Sequence, residues 1–203
     1  MLIGIDFDNT LVCYDRLFVE EAIASGCFTG DASATKKEVR DAVRALGDDG
    51  DVLWQKLQAR VYAHRMADAD LMEGAGDFLG HCRESRVPVV VVSHKTRHAG
   101  MDPDRIDLRE AALSWMERAG FFDRNGFGLP RESVYFEATR GEKVARIARC
   151  GCSDFIDDLE EVFREAGFPA AVRRHLFAPQ DGALPTGPFT AYRSWPEIAD
   201  AVL

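Results

Sequence analysis

Positive charge is what this chain is short of. Its 203 residues carry 25 Lys and Arg against 34 Asp and Glu, a net charge of −9. Nucleic-acid binders need a net basic face, so nucleic acid is not the expected partner. A small anionic ligand needs only a local positive spot and stays open. Long apolar runs are also missing. No stretch approaches the ~18–20 residues that cross a bilayer, so no membrane partner is expected. The start has no basic region and its first apolar run stops at Asp6, unlike a secretory signal. Paired cysteines are missing too. Cys13, Cys27, Cys82, Cys150 and Cys152 are odd in number and contain no C-x-x-C. Cys150 and Cys152 are too close for an ordinary paired zinc site, and no His lies near them. Reduced, mostly buried thiols in a soluble cytoplasmic protein are expected. Internal repeats and low-complexity runs are absent. A chain this long buries roughly 70% of its unfolded surface and needs no disulfide or metal to fold.

What is present alternates short apolar runs with helical patterns, as a parallel α/β sheet requires. Residues 2–6 read as the first strand. Val89-Val90-Val91-Val92 has no polar alternation, the mark of a central strand covered on both faces. Ser133-Val134-Tyr135-Phe136, Ser153-Asp154-Phe155-Ile156 and Ala171 to Phe177 are three further strands. Asp107 with Glu110 and Thr139 with Glu142 read as capping boxes, the first helix stopping at Gly120. Asp158 with Glu161 is a candidate cap for another helix, ended by Gly167. Residues 178–194, with Pro179, Pro185, Pro188, Gly182 and Gly187, read as a surface loop. Trp195 to Leu203 reads as a short closing helix.

Residues 14–75 break the alternation. Val39, Val43 and Leu46 recur at i, i+4, i+7 behind Ser33 as the expected cap, and Leu53, Leu57 and Val61 form a second stripe. Gly47 to Gly50 separates the two. This is a helical insertion between the first strand and the Val-rich strand.

Asp6-Phe7-Asp8-Asn9-Thr10 follows the first strand directly. Residues i and i+2 share a face on an extended strand, so a further bend brings both carboxylates to one pocket. Two crowded acids are costly unless a cation or a shared proton relieves them. Ser93 ends the second strand, Lys143 opens a helix, and Asp157 and Asp158 end the fourth strand. In a parallel sheet these positions meet at one edge, where open α/β sheets bind their ligands.

In this order, D-F-D-N-T, an apolar run ending in Ser, a Lys and an apolar strand ending in D-D, the chain resembles the haloacid dehalogenase-like (HAD) superfamily. The match runs from Asp6 to Asp158. The resemblance implies an α/β, Rossmann-like three-layer core over 1–13 and 76–203, and a small helical cap over 14–75. It also implies a magnesium ion and phosphoryl transfer through an aspartyl-phosphate. Asp6 would be the nucleophile, and Asp8 the acid that protonates the leaving oxygen and then the base for water. Asn9 and Thr10 would hold the turn, with Thr10 also a candidate substrate contact. Ser93 would donate to a phosphoryl oxygen. Lys143 would place positive charge between the phosphoryl group and Asp6, with Lys95 as its competitor. The magnesium shell would use Asp6, the Asp8 carbonyl and Asp157, oxygens that suit a hard cation. Asp158 would either reach the metal through water or cap the next helix.

Two features bear on specificity. Ser93-His94-Lys95-Thr96-Arg97-His98 is either a site for a second anionic group, through His94 and Lys95, or a solvated turn. Arg60 and His64, at i, i+4, with Arg65 beside them, either face the substrate from the cap or lie on a solvated surface. Trp54 and Trp115 sit on apolar faces and read as core. The reaction expected is hydrolysis of a small soluble phosphomonoester. Asp8 argues against dehalogenation and phosphonate hydrolysis, and a cap argues against a protein substrate. A phosphomutase or phosphotransferase, or a non-catalytic module that keeps the fold, is the alternative. Oligomeric state is left open.

Overall fold

The computed structural model describes every residue of the chain except 181. By contacts the chain divides into two compact units. One comprises Met1–Val12, Leu71–Lys95 and Met116–Leu203, and the other Cys13–Asp70 with Thr96–Trp115. The second unit thus takes in a segment beyond 14–75.

In chain order, the first unit opens with β1 (Ile3–Ile5), and β2 (Val12–Cys13) leads out of it. The second unit then runs through α1 (Asp15–Ala24), α2 (Lys36–Arg44) and α3 (Gly50–Ala59). A π-helical turn (Arg60–His64) and a 3-10 turn (Met66–Asp68) follow. The chain returns through β3 (Asp70–Leu71) to α4 (Ala75–Glu84), β4 (Val89–His94) and, by way of the second unit, α5 (Leu108–Arg118). Then come β5 (Val134–Glu137), α6 (Arg140–Cys150), β6 (Asp154–Asp157), α7 (Glu160–Phe163), β7 (Arg173–Phe177), β8 (Thr190–Tyr192) and α8 (Trp195–Val202).

Six strands form one sheet in the order β5-β4-β1-β6-β7-β8. Every neighbouring pair is parallel. β1 sits in the middle, and its successors lie on opposite sides of it. That is a topological switch point, and the crevice it opens lies beyond the carboxyl end of β1. The Val-rich run is buried throughout, as a central strand must be. Val90 and Val92 pack with Val144, Ile147, Phe155 and Phe163 on one face. On the other, Trp195 of α8 meets Phe78 of α4 and Phe177 of β7. Gly4 lets the sheet and this core close together: a Cβ there would lie 2.5 Å from the Phe155 ring.

Several local expectations change. The surface loop at 178–194 contains a sixth strand, β8, at the sheet edge; residue 181 of that stretch lies outside the described residues. The cap of α2 is Thr35, two residues past Ser33, in a full capping box with Glu38. The N-cap residue of α7, Leu159, makes no side-chain cap bond, and its N–H donates to the Asp157 carboxylate at 3.1 Å. All five cysteines are free, but only Cys82 and Cys152 are buried; the other three are half-exposed. Trp54 and Trp115 are buried, and the Trp115 indole donates to the Ala69 carbonyl. No helix among the described residues is long and apolar enough to cross a membrane.

Candidate active site

The register sets the site. Ile5 pairs with Val91 on one side and Ile156 on the other. Asp6, one residue on, is therefore level with Asp157 across the sheet, and its N–H donates to the Ile156 carbonyl at 2.9 Å. Ser93 lies one position further along β4. The chain then folds back: the N–H groups of Leu11 and Val12 both donate to the Phe7 carbonyl, and Asn9 takes φ 60°. Asn tolerates that left-handed conformation better than most residues. The Trp195 indole donates to the Thr10 carbonyl at 3.2 Å and ties this turn to α8.

Lys143 is brought in by α6. The Thr139 hydroxyl accepts from the Glu142 N–H while the Glu142 carboxylate accepts from the Thr139 N–H, closing a capping box. From the next position Lys143 reaches the sheet edge, fully buried, with Nζ 2.6 Å from Asp6 and 2.5 Å from Asp157. Burial opposes its charge, but the attraction of Asp157 and Asp6 outweighs it and holds the ammonium well above its ordinary range. Asp157 is wholly buried. Burial, reinforced by the Asp6 charge and opposed by Lys143, pushes its carboxyl up to about 7.

A second buried lysine serves the other acid. Lys95 Nζ lies 2.8 and 2.9 Å from the two Asp8 oxygens, and 5.4 Å from the centroid of the Phe7 ring. Phe7 in turn meets Phe136 edge-on. Each acid of the D-x-D pair therefore has its own lysine, and the two lysines are not rivals for one place.

Asp6, Asp157 and Asp158 each offer a carboxylate oxygen, and these atoms lie within 4.8 Å of one another. An all-oxygen set of this kind suits a hard divalent cation. Burial is the main cause of the raised Asp157 pKa, and a cation bound beside its carboxylate would offset the cost of charging it there. The Ser93 and Thr10 hydroxyls are buried and have no hydrogen-bond partner among the described residues. Buried hydroxyls seldom stay unpaired, so Ser93 and Thr10 are placed to receive a ligand atom.

The remaining sequence candidates have partners of their own. The His94 ring bonds the Ala138 carbonyl at 2.9 Å and is exposed. In the second unit Arg60 pairs with Glu21, His64 with Asp102, and Arg65 with Glu20, Glu21 and Asp68. Within their own unit these side chains are tied to acids. The sequence reading missed the pairing of Lys95 with Asp8 and the support of the Asp8 turn by Trp195. The first had a signal, a second lysine two residues past Ser93. The second, across 185 positions, had none.

No protein-family model matches the sequence, and no curated protein matches it significantly. Solved structures do match. A HAD family hydrolase from Deinococcus radiodurans with bound phosphate and sodium superposes with a TM-score of 0.56 at 17% identity, covering 99% of this chain and 94% of that one. The HAD-hydrolase YfnB from Bacillus subtilis, bound to magnesium, gives 0.55 at 12% identity, covering 99% and 97%. Protein Tyrosine Kinase A from Mycobacterium tuberculosis gives 0.61 at 16% identity, covering 98% and 96%. With its six parallel strands and central switch point, the chain has the α/β fold of the HAD-superfamily hydrolases.

Proposed function

We propose that the protein is a magnesium-dependent phosphomonoesterase acting on a small soluble phosphorylated metabolite. The observation that carries this reading is the buried Lys143, bridging Asp6 and Asp157 at the end of β1. A buried ammonium between two carboxylates, with an unpaired Ser93 hydroxyl on the adjacent strand, is a cradle for a phosphoryl group.

In this reading an Asp6 oxygen attacks phosphorus in line. The bond to the leaving oxygen breaks, and that oxygen takes a proton from Asp8. Water then attacks phosphorus, gives a proton back to Asp8, and frees Asp6 with release of phosphate. Ser93 donates to a phosphoryl oxygen, and Lys143 offsets its charge. Lys95 fixes the Asp8 carboxylate within the turn. Magnesium, held by Asp6, Asp157, Asp158 and the Asp8 carbonyl, would neutralise the phosphoryl oxygens. The hydrolases from Deinococcus and Bacillus, found with phosphate and with magnesium, support that choice of ligands. The helical second unit would serve as the cap, with Arg60 and His64 as its candidate substrate contacts.

The test is phosphate release from phosphorylated sugars, nucleotides and small acids, with and without magnesium. Magnesium-dependent release by wild type, lost in Asp6→Asn, supports the reading. No release from a folded protein that binds magnesium would transfer the assignment to a phosphotransferase or a non-catalytic binder.

A further inference from the structure

The opposite, amino edge of the same sheet holds a separate cavity of about 380 Å³. Its walls are apolar: Leu2, Leu79, Val89, Phe127 and Leu129. Among the described residues its charged lining is Arg83 and Arg86, with neither Asp nor Glu. The chain as a whole has nine more acidic than basic residues. A cavity whose charge runs against that of its own chain is complementary to an anion.

Arg86 is the informative residue. It follows the end of α4, where the Arg86 N–H bonds the Arg83 carbonyl and the Val87 N–H bonds the Cys82 carbonyl at 2.8 Å. That is a Schellman closure, and its left-handed position is ordinarily glycine. Here Arg takes it at φ 55°. Arg86 is exposed, and its side chain makes no hydrogen bond or ion pair among the described residues. Arg83 beside it bonds the Asn125 and Gly126 carbonyls through one nitrogen, which leaves donors to spare.

We propose that this cavity is a second ligand site, distinct from the sheet-edge acids, for a small molecule with an apolar body and one anionic head. A medium-chain or aryl carboxylate has that chemistry. Its body would lie against Leu79 and Phe127, and its carboxylate on Arg86, with Arg83 as second donor. The volume lies within the range of small-molecule pockets.

The test uses decanoate below its micellar concentration, with decanol as the neutral control, by calorimetry and amide chemical-shift mapping on the full chain. Decanoate should bind more tightly than decanol, with shifts centred on residues 79–90 and 127–133. Arg86→Gly relieves the backbone strain, so it should fold at least as well as wild type yet bind decanoate about tenfold more weakly. Asp6→Asn should bind it unchanged. Four results would each overturn the proposal: no decanoate binding, equal affinity for decanol, Arg86→Gly binding like wild type, or shifts that centre on residues 6–10. Shifts at 79–90 that follow protein concentration without ligand would instead identify the face as a self-association surface.

Discussion

Replacing Lys143 by Met should strip the site of the one cation that two buried carboxylates share. At 2.6 Å and an effective dielectric of about 20, each pair is worth about 6 kcal/mol of attraction. Most of that is offset by the desolvation of three buried charges. Removing one partner leaves the others uncompensated, which typically costs about 3–5 kcal/mol. For a domain of this size that is a fall in Tm of roughly 6–20 °C. The deficit must also depend on pH. The folded pKa of Asp157 is raised, so without metal the folded state holds a proton that the unfolded state has already lost. Its contribution is favourable at low pH and is lost as pH rises towards about 7. Without Lys143 the carboxyl rises further, so the deficit grows from pH 5.5 to pH 8. Denaturant unfolding in a metal chelator at both pH values measures this. A Lys143→Met protein within about 1 kcal/mol of wild type at pH 8, or a deficit equal at both, would refute the reasoning. The triple variant Lys143→Met, Asp6→Asn, Asp157→Asn should recover part of the loss, because the charges leave together.

Two further outcomes follow from other parts of the same unit. Gly4→Ala would put its Cβ 2.5 Å from the Phe155 ring and 2.9 Å from Cys152 Sγ, and overpacking of that kind costs about 1–3 kcal/mol; an unchanged denaturation midpoint would show that the sheet and core can separate freely. His175 is pushed down by burial against the pull of Asp154, while hydrogen bonds from His175, Arg173 and Ser153 hold Asp154 below its usual range despite burial. Both groups bind fewer protons folded than unfolded, so their stabilisation is present at neutral pH and is lost as pH falls. The stability of wild type relative to His175→Gln should therefore decline from about pH 7 to pH 5, and parallel curves for the two proteins would contradict it.

The legible parts of this chain were those whose signal is local. Val89 to Val92 announced a covered strand because four adjacent β-branched residues suit nothing else. Thr139 and Glu142 announced a helix start because both halves of the capping box lie within four residues. Asp6, Ser93, Lys143 and Asp157 could be aligned once the strands were known to be parallel, since each ends or follows one. What was hidden depends on distant partners. β8 is three residues in a stretch rich in Pro and Gly, and it exists because β7 offers it an edge. Lys95 and Lys143 looked like rivals because sequence cannot show that two acids two residues apart face different lysines. Asp157 reads from sequence only as a metal ligand; that its wholly buried carboxylate also takes the Leu159 N–H depends on the local fold.

The central claim is that Asp6 carries the phosphoryl group. The most direct measurement is acid quench of the enzyme during turnover of its best substrate, followed by borohydride reduction and peptide mass spectrometry. Reduction of an aspartyl-phosphate converts the residue to homoserine. The account predicts homoserine at position 6, dependent on substrate and absent in Asp6→Asn. Steady turnover with position 6 unmodified, or with the label at Asp8 or Asp157, would contradict it.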